Sequence, residues 1–284
     1  ANYPAKHYFI DVWNHGSGWH LKRLSRMAGG GFQVSDISND DRFRSKMTTE
    51  QLGLALQESA RIIGRKVDIY GSDACLMGMV EIAGQMQDAV DVFVGSQDLE
   101  PGAGWPYHDF LKAWSTEAHA TPARVSQHLV KTMVDSYRSG GSQGQNEATL
   151  SSFDLNKLPR FSEAFKRLSD HLKALPAAEI TKVLSAGRDA RSFWESDYVD
   201  IDETLKLLVE KGVSAQSSEL IQEVRTALAD MVIANDTTPD YEWAKGVSFW
   251  FPTDRYTYDR HAQRYKSLEF DKNTGWAGFL GRLF

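Results

Sequence analysis

Residues Val67 to Gly78 constrain this chain more than any other stretch. An apolar run, Val67 to Tyr70, breaks at Gly71-Ser72-Asp73-Ala74 and reaches Cys75, the only cysteine in 284 residues. Beyond it, Leu76, Met79, Val80, Ala83 and Met86 recur on one helical face. The pattern predicts strand, tight turn and helix, with a thiol at the turn. Catalytic groups of α/β sheets collect at the carboxyl ends of parallel strands. A helix N-terminus there would favour thiolate, the nucleophilic form. A lone thiol also has a plain structural reading, because free cysteine is often a buried space filler.

A second strand end strengthens the chemical reading. His7 to Trp13 is another largely apolar run, and it breaks into Asn14-His15-Gly16-Ser17-Gly18-Trp19. One turn presents a histidine and the other a cysteine, the pairing a thiol hydrolase needs. Between them Thr48 and Gln51 form a capping box, and Leu52, Ala55, Leu56, Ile62 and Ile63 line a helix that Gly64 stops. Strand, helix and strand in that order predict a right-handed crossover in a parallel sheet. A further strand, Val90 to Gly95, releases the loop Ser96 to Trp105 on the same rim.

The remaining chain alternates similarly. His20 to Met47 reads as a loop that holds Gly29-Gly30-Gly31 and an acidic cluster from Asp36 to Asp41. That cluster lacks the glycine and closing glutamate of an EF-hand. Thr121-Pro122 starts a helix carrying Val125, Leu129, Met133 and Tyr137; Ala148 to Leu155 reads as a strand. A stripe from Leu158 to Leu175 is helical and ends at Pro176. Asp202 to about Ala234 reads as helical with a break at Gly212-Val213-Ser214, Gly246 to Phe251 as a strand, and Asp259 to Phe284 as one or two final helices. The expected division is an α/β core, 1–155, with a helical and strand part, 156–284, packed on it.

Bulk properties exclude several classes. The formal net charge is −6 and no basic block occurs, which argues against nucleic acid as a partner. No apolar run has the length of a membrane span. The eight histidines show no zinc-ligand spacing, which disfavours a metalloenzyme.

Trp13-Asn14-His15-Gly16-Ser17-Gly18-Trp19 and Asp73-Ala74-Cys75-Leu76-Met77-Gly78 together resemble the clostripain family of cysteine peptidases. The similarity continues through Ser96 to Trp105, Ala148 to Leu155, Gly246 to Pro252 and Thr274 to Leu280. This resemblance implies a caspase-like three-layer α/β sandwich: a mostly parallel central sheet, helices on both faces and a C-terminal extension. It implies Cys75 as nucleophile, His15 as acid/base, and the backbone amides of Gly16 and Cys75 as oxyanion donors. Asp73 would floor the pocket for the residue before the cut bond, giving cleavage after Arg and less readily after Lys. The alternative role for Asp73 is a cap on the cysteine helix.

On the rim loop, Asp98 and Glu100 are candidates for added negative potential, and Trp105, with Trp19, for a wall of the cleft. The resemblance further implies activation by cleavage in the loop after the histidine motif, calcium dependence that no residue here locates, and a bacterial protein that is secreted or displayed at the cell surface. It also implies a strand and an acidic turn ahead of the histidine strand. This sequence opens at Ala1, almost on that strand, so that N-terminal part either lies outside this sequence or is a separate chain after processing. The expected partners are such a processed N-terminal chain and a protein or peptide substrate. Two competing readings remain: a catalytically inactive, peptidase-like binding module, and a transpeptidase or amidase.

Overall fold

The strands that end in the histidine and cysteine turns lie side by side. The computed structural model describes residues 3–20, 37–40 and 45–284. In chain order the elements are β1 (Phe9–Trp13), β2 (Ile37–Asp40), β3 (Ser45–Met47), α1 (Thr49–Ile63), β4 (Val67–Asp73), α2 (Val80–Met86), β5 (Val90–Gly95), α3 (Tyr107–Ser115) and α4 (Pro122–Tyr137). They continue with β6 (Thr149–Asp154), α5 (Leu158–Ala174), α6 (Ala177–Asp189), β7 (Tyr198–Asp200), α7 (Ile201–Glu210), α8 (Ala215–Met231), β8 (Val232–Thr237), β9 (Ser248–Trp250), α9 (Arg255–Tyr265), α10 (Glu269–Thr274) and α11 (Trp276–Leu280).

Among the described residues, the main sheet has five strands in the order β1-β4-β5-β6-β8. β1, β4 and β5 pair in parallel, β6 runs against β5, and β8 runs against β6. The ends of β1, β4 and β5 therefore open on one rim. The capping box at Thr48 and the left-handed Gly64 bound α1 as expected. This helix carries the chain from the histidine side back to β4.

Alternation along the strands divides the core into two layers. Tyr70, Phe93 and Phe153 pack on one face with Leu52 and Leu56 of α1, Ile82 of α2 and Phe161 and Phe165 of α5. Ile69, Val92, Val94 and Leu150 pack on the other with Phe110 of α3 and Leu129 and Met133 of α4. Helices thus cover both faces of a mostly parallel sheet, the α/β sandwich expected. β8, contributed from beyond residue 155, completes the same sheet.

Several elements differ from the sequence reading. The segment after Cys75 is a turn, and α2 begins only at Val80. The helical reading to Ala234 ends early: α8 stops at Met231, and Val232–Thr237 is the strand β8, which begins with the β-branched pair Val232-Ile233. Ser248–Trp250 is a strand, yet it pairs with β7 in a separate ribbon. The last part of the expected loop from His20 to Met47 holds two short strands, β2 and β3, that pair antiparallel. Gly29 to Gly31, with Asp36 and Asp41 of the acidic cluster, lie outside the described residues, and so does the expected self-cleavage segment.

Candidate active site

The histidine turn is fastened at both ends. Its first residue hangs on the neighbouring strand, Asn14 N donating to Asp73 O at 3.3 Å. Its far end is anchored by Trp19, fully buried among His20, Trp250 and Tyr265. The Tyr198 hydroxyl donates to Ser17 O at 3.2 Å and accepts from His20 N at 3.1 Å. Between these anchors His15 is exposed at the rim, and its amide donates to Asn14 Oδ1 at 2.6 Å.

The cysteine turn is laced to the rim loop. Leu76 N donates to Asp98 O at 3.0 Å, and Gly78 N donates to Ser96 O. Leu76 sits at φ 62°, left-handed for a residue with a branched side chain, and is buried. Such a conformation persists only where its surroundings impose it, and it sharpens the turn that presents the thiol. Cys75 is half-buried, and Glu100 N donates to its Sγ at 3.3 Å. The thiol pKa is raised, first by burial and further by the charges of Asp98 and Asp73, against the pull of the Glu100 amide. The expected helix N-terminus does not act on it, because α2 starts too far along the chain. The resting sulfur is therefore a neutral thiol at pH 7.

Trp13, Asn14, His15, Asp73, Ala74, Cys75, Glu100, Pro101, Gly102 and Gly104 line one open cleft of about 580 Å³. His15 and Cys75 thus face a common space. Asp73 forms its floor and is itself buried. Asp73 Oδ2 accepts from Trp105 N at 3.1 Å and from the Tyr107 hydroxyl at 2.8 Å. These partners, together with the late start of α2, remove the helix-cap role for Asp73. Gly104, at φ 66°, lets the rim loop pass close by: a Cβ there would lie 3.0 Å from Asp73 Oδ2.

Glu100 stands beside this floor. Trp105 Nε1 donates to its Oε1 at 3.4 Å, and the Asp73 carboxylate is its neighbour in the floor. Burial, then the hydrogen bond and charge of Asp73, hold its carboxyl well above the ordinary range. Among the described residues no lysine or arginine pairs with Asp73 or Glu100. The floor is acidic, with no counter-cation among the described residues.

The other expected site residues fall elsewhere. Asp98 supports the turn from behind: its carboxylate accepts from Leu99 N, Trp194 N and the Tyr241 hydroxyl at 2.8, 3.0 and 2.7 Å, and it does not line the cleft. The Trp105 ring is buried over Gly71, so this residue reaches the floor through its amide and indole N–H rather than as a wall. Trp19 is a core residue. The aromatic wall is Trp13, 68% exposed at the mouth, which sequence reasoning missed. Tyr107 was missed as well. Neither the Gly16 nor the Cys75 amide donates to a backbone carbonyl among the described residues, and the Cys75 amide faces its own sulfur.

Calcium has a poor fit to the metal-ligating side chains that come together. Among the described residues His20, Glu195 and Asp197 bring ligand atoms within 4.8 Å of one another. One imidazole and two carboxylates fall short of the six to eight oxygens that calcium takes. Asp197 Oδ2 also accepts from Trp250 Nε1 at 2.8 Å.

The model of the clostripain family, peptidase family C11, matches residues 1–282. Clostripain of Hathewaya histolytica is 25% identical over 304 aligned positions, covering 92% of this chain and 56% of that protein. The chain thus spans about half the length of that curated relative. In structure it is similar to a secreted C11 cysteine protease of Bacteroides thetaiotaomicron solved with an irreversible peptide inhibitor (TM-score 0.66, 17% identity, covering 98% of this chain and 74% of that one). It is also similar to an inactive zymogen C11 protease of Parabacteroides distasonis (TM-score 0.63, 18% identity, 96% and 71%) and to a B. fragilis cysteine protease (TM-score 0.63, 18% identity, 85% and 97%). At these identities the structural matches establish the fold.

Proposed function

Because the chain belongs to the clostripain family of cysteine peptidases, we propose that it cleaves peptide bonds after arginine, and less readily after lysine, with Cys75 as nucleophile and His15 as acid/base. The observation that carries this reading is the buried, uncompensated Asp73 at the floor of the cleft that Cys75 and His15 share. A guanidinium entering the cleft supplies the missing counter-charge, and its planar donors suit a carboxylate better than the single point of an ammonium.

The chemistry follows from the resting state. Cys75 Sγ attacks the scissile carbonyl carbon, and the thiol proton passes to His15. The carbonyl oxygen gains negative charge, which in this reading the Gly16 and Cys75 amides stabilise. His15 gives the proton to the departing amine as the C–N bond breaks, leaving a thioester on Cys75. Water, deprotonated by His15, then releases the acid. The charge on Asp73 helps hold the thiol neutral. A bound guanidinium offsets that charge, so the correct substrate eases ionisation of its own nucleophile.

Activation by cleavage between His20 and Met47 and a calcium requirement rest on the family resemblance, as does a secreted or surface location. No helix among the described residues is long and apolar enough to cross a membrane. A panel of fluorogenic peptides that differ only in the residue before the bond, run with and without calcium, tests the reading. Cleavage confined to Arg and Lys supports it. Cleavage after uncharged residues, or none under either condition, overturns it.

A further inference from the structure

Asp73 is joined to a second carboxyl through one phenol. Tyr107, at the start of α3, holds its hydroxyl 2.8 Å from Asp73 Oδ2 and 2.6 Å from Asp11 Oδ2. A phenol has one proton, so it donates to one acid at a time. The other contact either takes a proton from a carboxyl or leaves two anions competing for one donor.

Asp11 lies on β1 two residues before Trp13, and so on the same face of the sheet as that wall of the cleft. By surface area Asp11 is an exposed residue of the strand, and it is the carboxyl end alone that is crowded by Tyr107 and Asp73. Burial, with the charge of Asp73, pushes its pKa up to about 6, against the phenol hydrogen bond. Burial, and then the same two carboxyls, hold Tyr107 far above an ordinary phenol, so it stays protonated. The groups around this pair are Asp73 and Tyr70 on β4, Cys75 beyond them, Glu100 on the rim loop, Tyr107 on α3 and Tyr137 on α4, whose hydroxyl is spent on Gly104 O. Among the described residues none of these is a cation.

We infer that Asp11 and Tyr107, which do not themselves line the cleft, act on the cationic subsite through Asp73: Tyr107 positions Asp73, and Asp11, tied to the same phenol, is a second carboxylate that ionises when a guanidinium or ammonium side chain binds Asp73. The inference rests on the reading that Asp73 receives a cationic substrate group. The sign follows from linkage. A bound cation favours ionised Asp11, so binding releases a proton, and affinity rises with pH through the titration of Asp11. Below that range Asp11 is neutral and adds nothing. Above it, the dependence disappears.

The test is the pH profile of KM for an arginyl fluorogenic peptide between pH 5 and 7.5. In the wild type KM should fall by about tenfold over that range, one unit of linked shift. In Asp11→Asn it should stay flat, near the wild-type value at pH 5. Tyr107→Phe removes the phenol that holds Asp73 and that lowers the Asp11 pKa, so KM rises several-fold and its fall with pH moves to higher pH. Superimposable profiles for wild type and Asp11→Asn, or an Asp11→Asn effect confined to kcat, overturn the inference and leave the peptidase reading standing. A wild-type chain that cleaves no arginyl peptide removes both.

Discussion

Gly16 and Cys75 meet main chain to main chain: a Cβ added to Gly16 would lie 2.4 Å from the Cys75 carbonyl oxygen. The turn that carries the histidine is thus set directly against the turn that carries the thiol, and only glycine permits the approach. Gly16→Ala should push the turns apart. A displacement of about 1 Å at reacting groups costs on the order of 100-fold in rate. A loss of that order in kcat/KM is expected, with unchanged circular dichroism. Near-normal kcat/KM would mean that this contact does not set the catalytic geometry.

Cys75→Ala should abolish cleavage while the fold persists. His15→Ala should lower kcat by about 10²- to 10⁴-fold, the usual worth of a positioned acid/base. It should leave alkylation of Cys75 by iodoacetamide nearly unchanged, because the histidine acts in turnover and the resting thiol is set by burial and the neighbouring acids. Residual cleavage in Cys75→Ala would assign the nucleophile elsewhere.

Removing the floor charge should have opposite effects on two reactions of one sulfur. Asp73→Asn should cut kcat/KM on arginyl peptides by about 100-fold or more, the range for losing a charged hydrogen-bonded partner. The Asp73 charge also raises the thiol pKa. Its loss should therefore speed alkylation by neutral iodoacetamide at pH 7. A parallel loss in both reactions would point to general damage to the site.

Away from the cleft, Glu81 makes stability depend on pH. Its Oε1 accepts from Trp250 N and the Tyr265 hydroxyl, both at 2.8 Å, in full burial. Burial pushes its pKa up to about 7. The folded chain therefore holds a proton that the unfolded chain releases above an ordinary glutamate value. This contribution is fully present below that value and is lost as pH rises through 7; it amounts to roughly 3 kcal/mol. Glu81→Gln should flatten the fall in stability between pH 5 and 8, measured by urea denaturation. An unchanged slope would place the pH dependence in other groups.

The two turns are legible in the sequence because each is an apolar strand stopped by glycines around one reactive side chain, and a capped helix joins them. The sheet order follows from that crossover. What escapes is set by tertiary contact. Val232–Thr237 follows a helix without a break, and only pairing with β6 makes it a strand. Asp98 reads as a rim acid, yet two donors from distant segments, Trp194 N and the Tyr241 hydroxyl, turn it inward. Tyr107 carries no local signal at all, since its importance lies in touching two strands, β1 and β4, from a helix. The helix after Cys75 is overread because the apolar spacing begins at Leu76, while the left-handed Leu76 and extended Met79 hold the backbone out of helix until Val80.

The most direct measurement compares two irreversible peptidyl electrophiles, one with arginine next to the reactive carbon and one with citrulline, its neutral isostere. Intact-mass and peptide-mass analysis would follow adduct formation. The arginyl reagent should give one adduct, on Cys75, about 100-fold faster or more than the citrullinyl reagent, the difference a charge-assisted pair supports. Equal rates, an adduct on another residue, or no adduct would contradict an arginine-directed thiol peptidase.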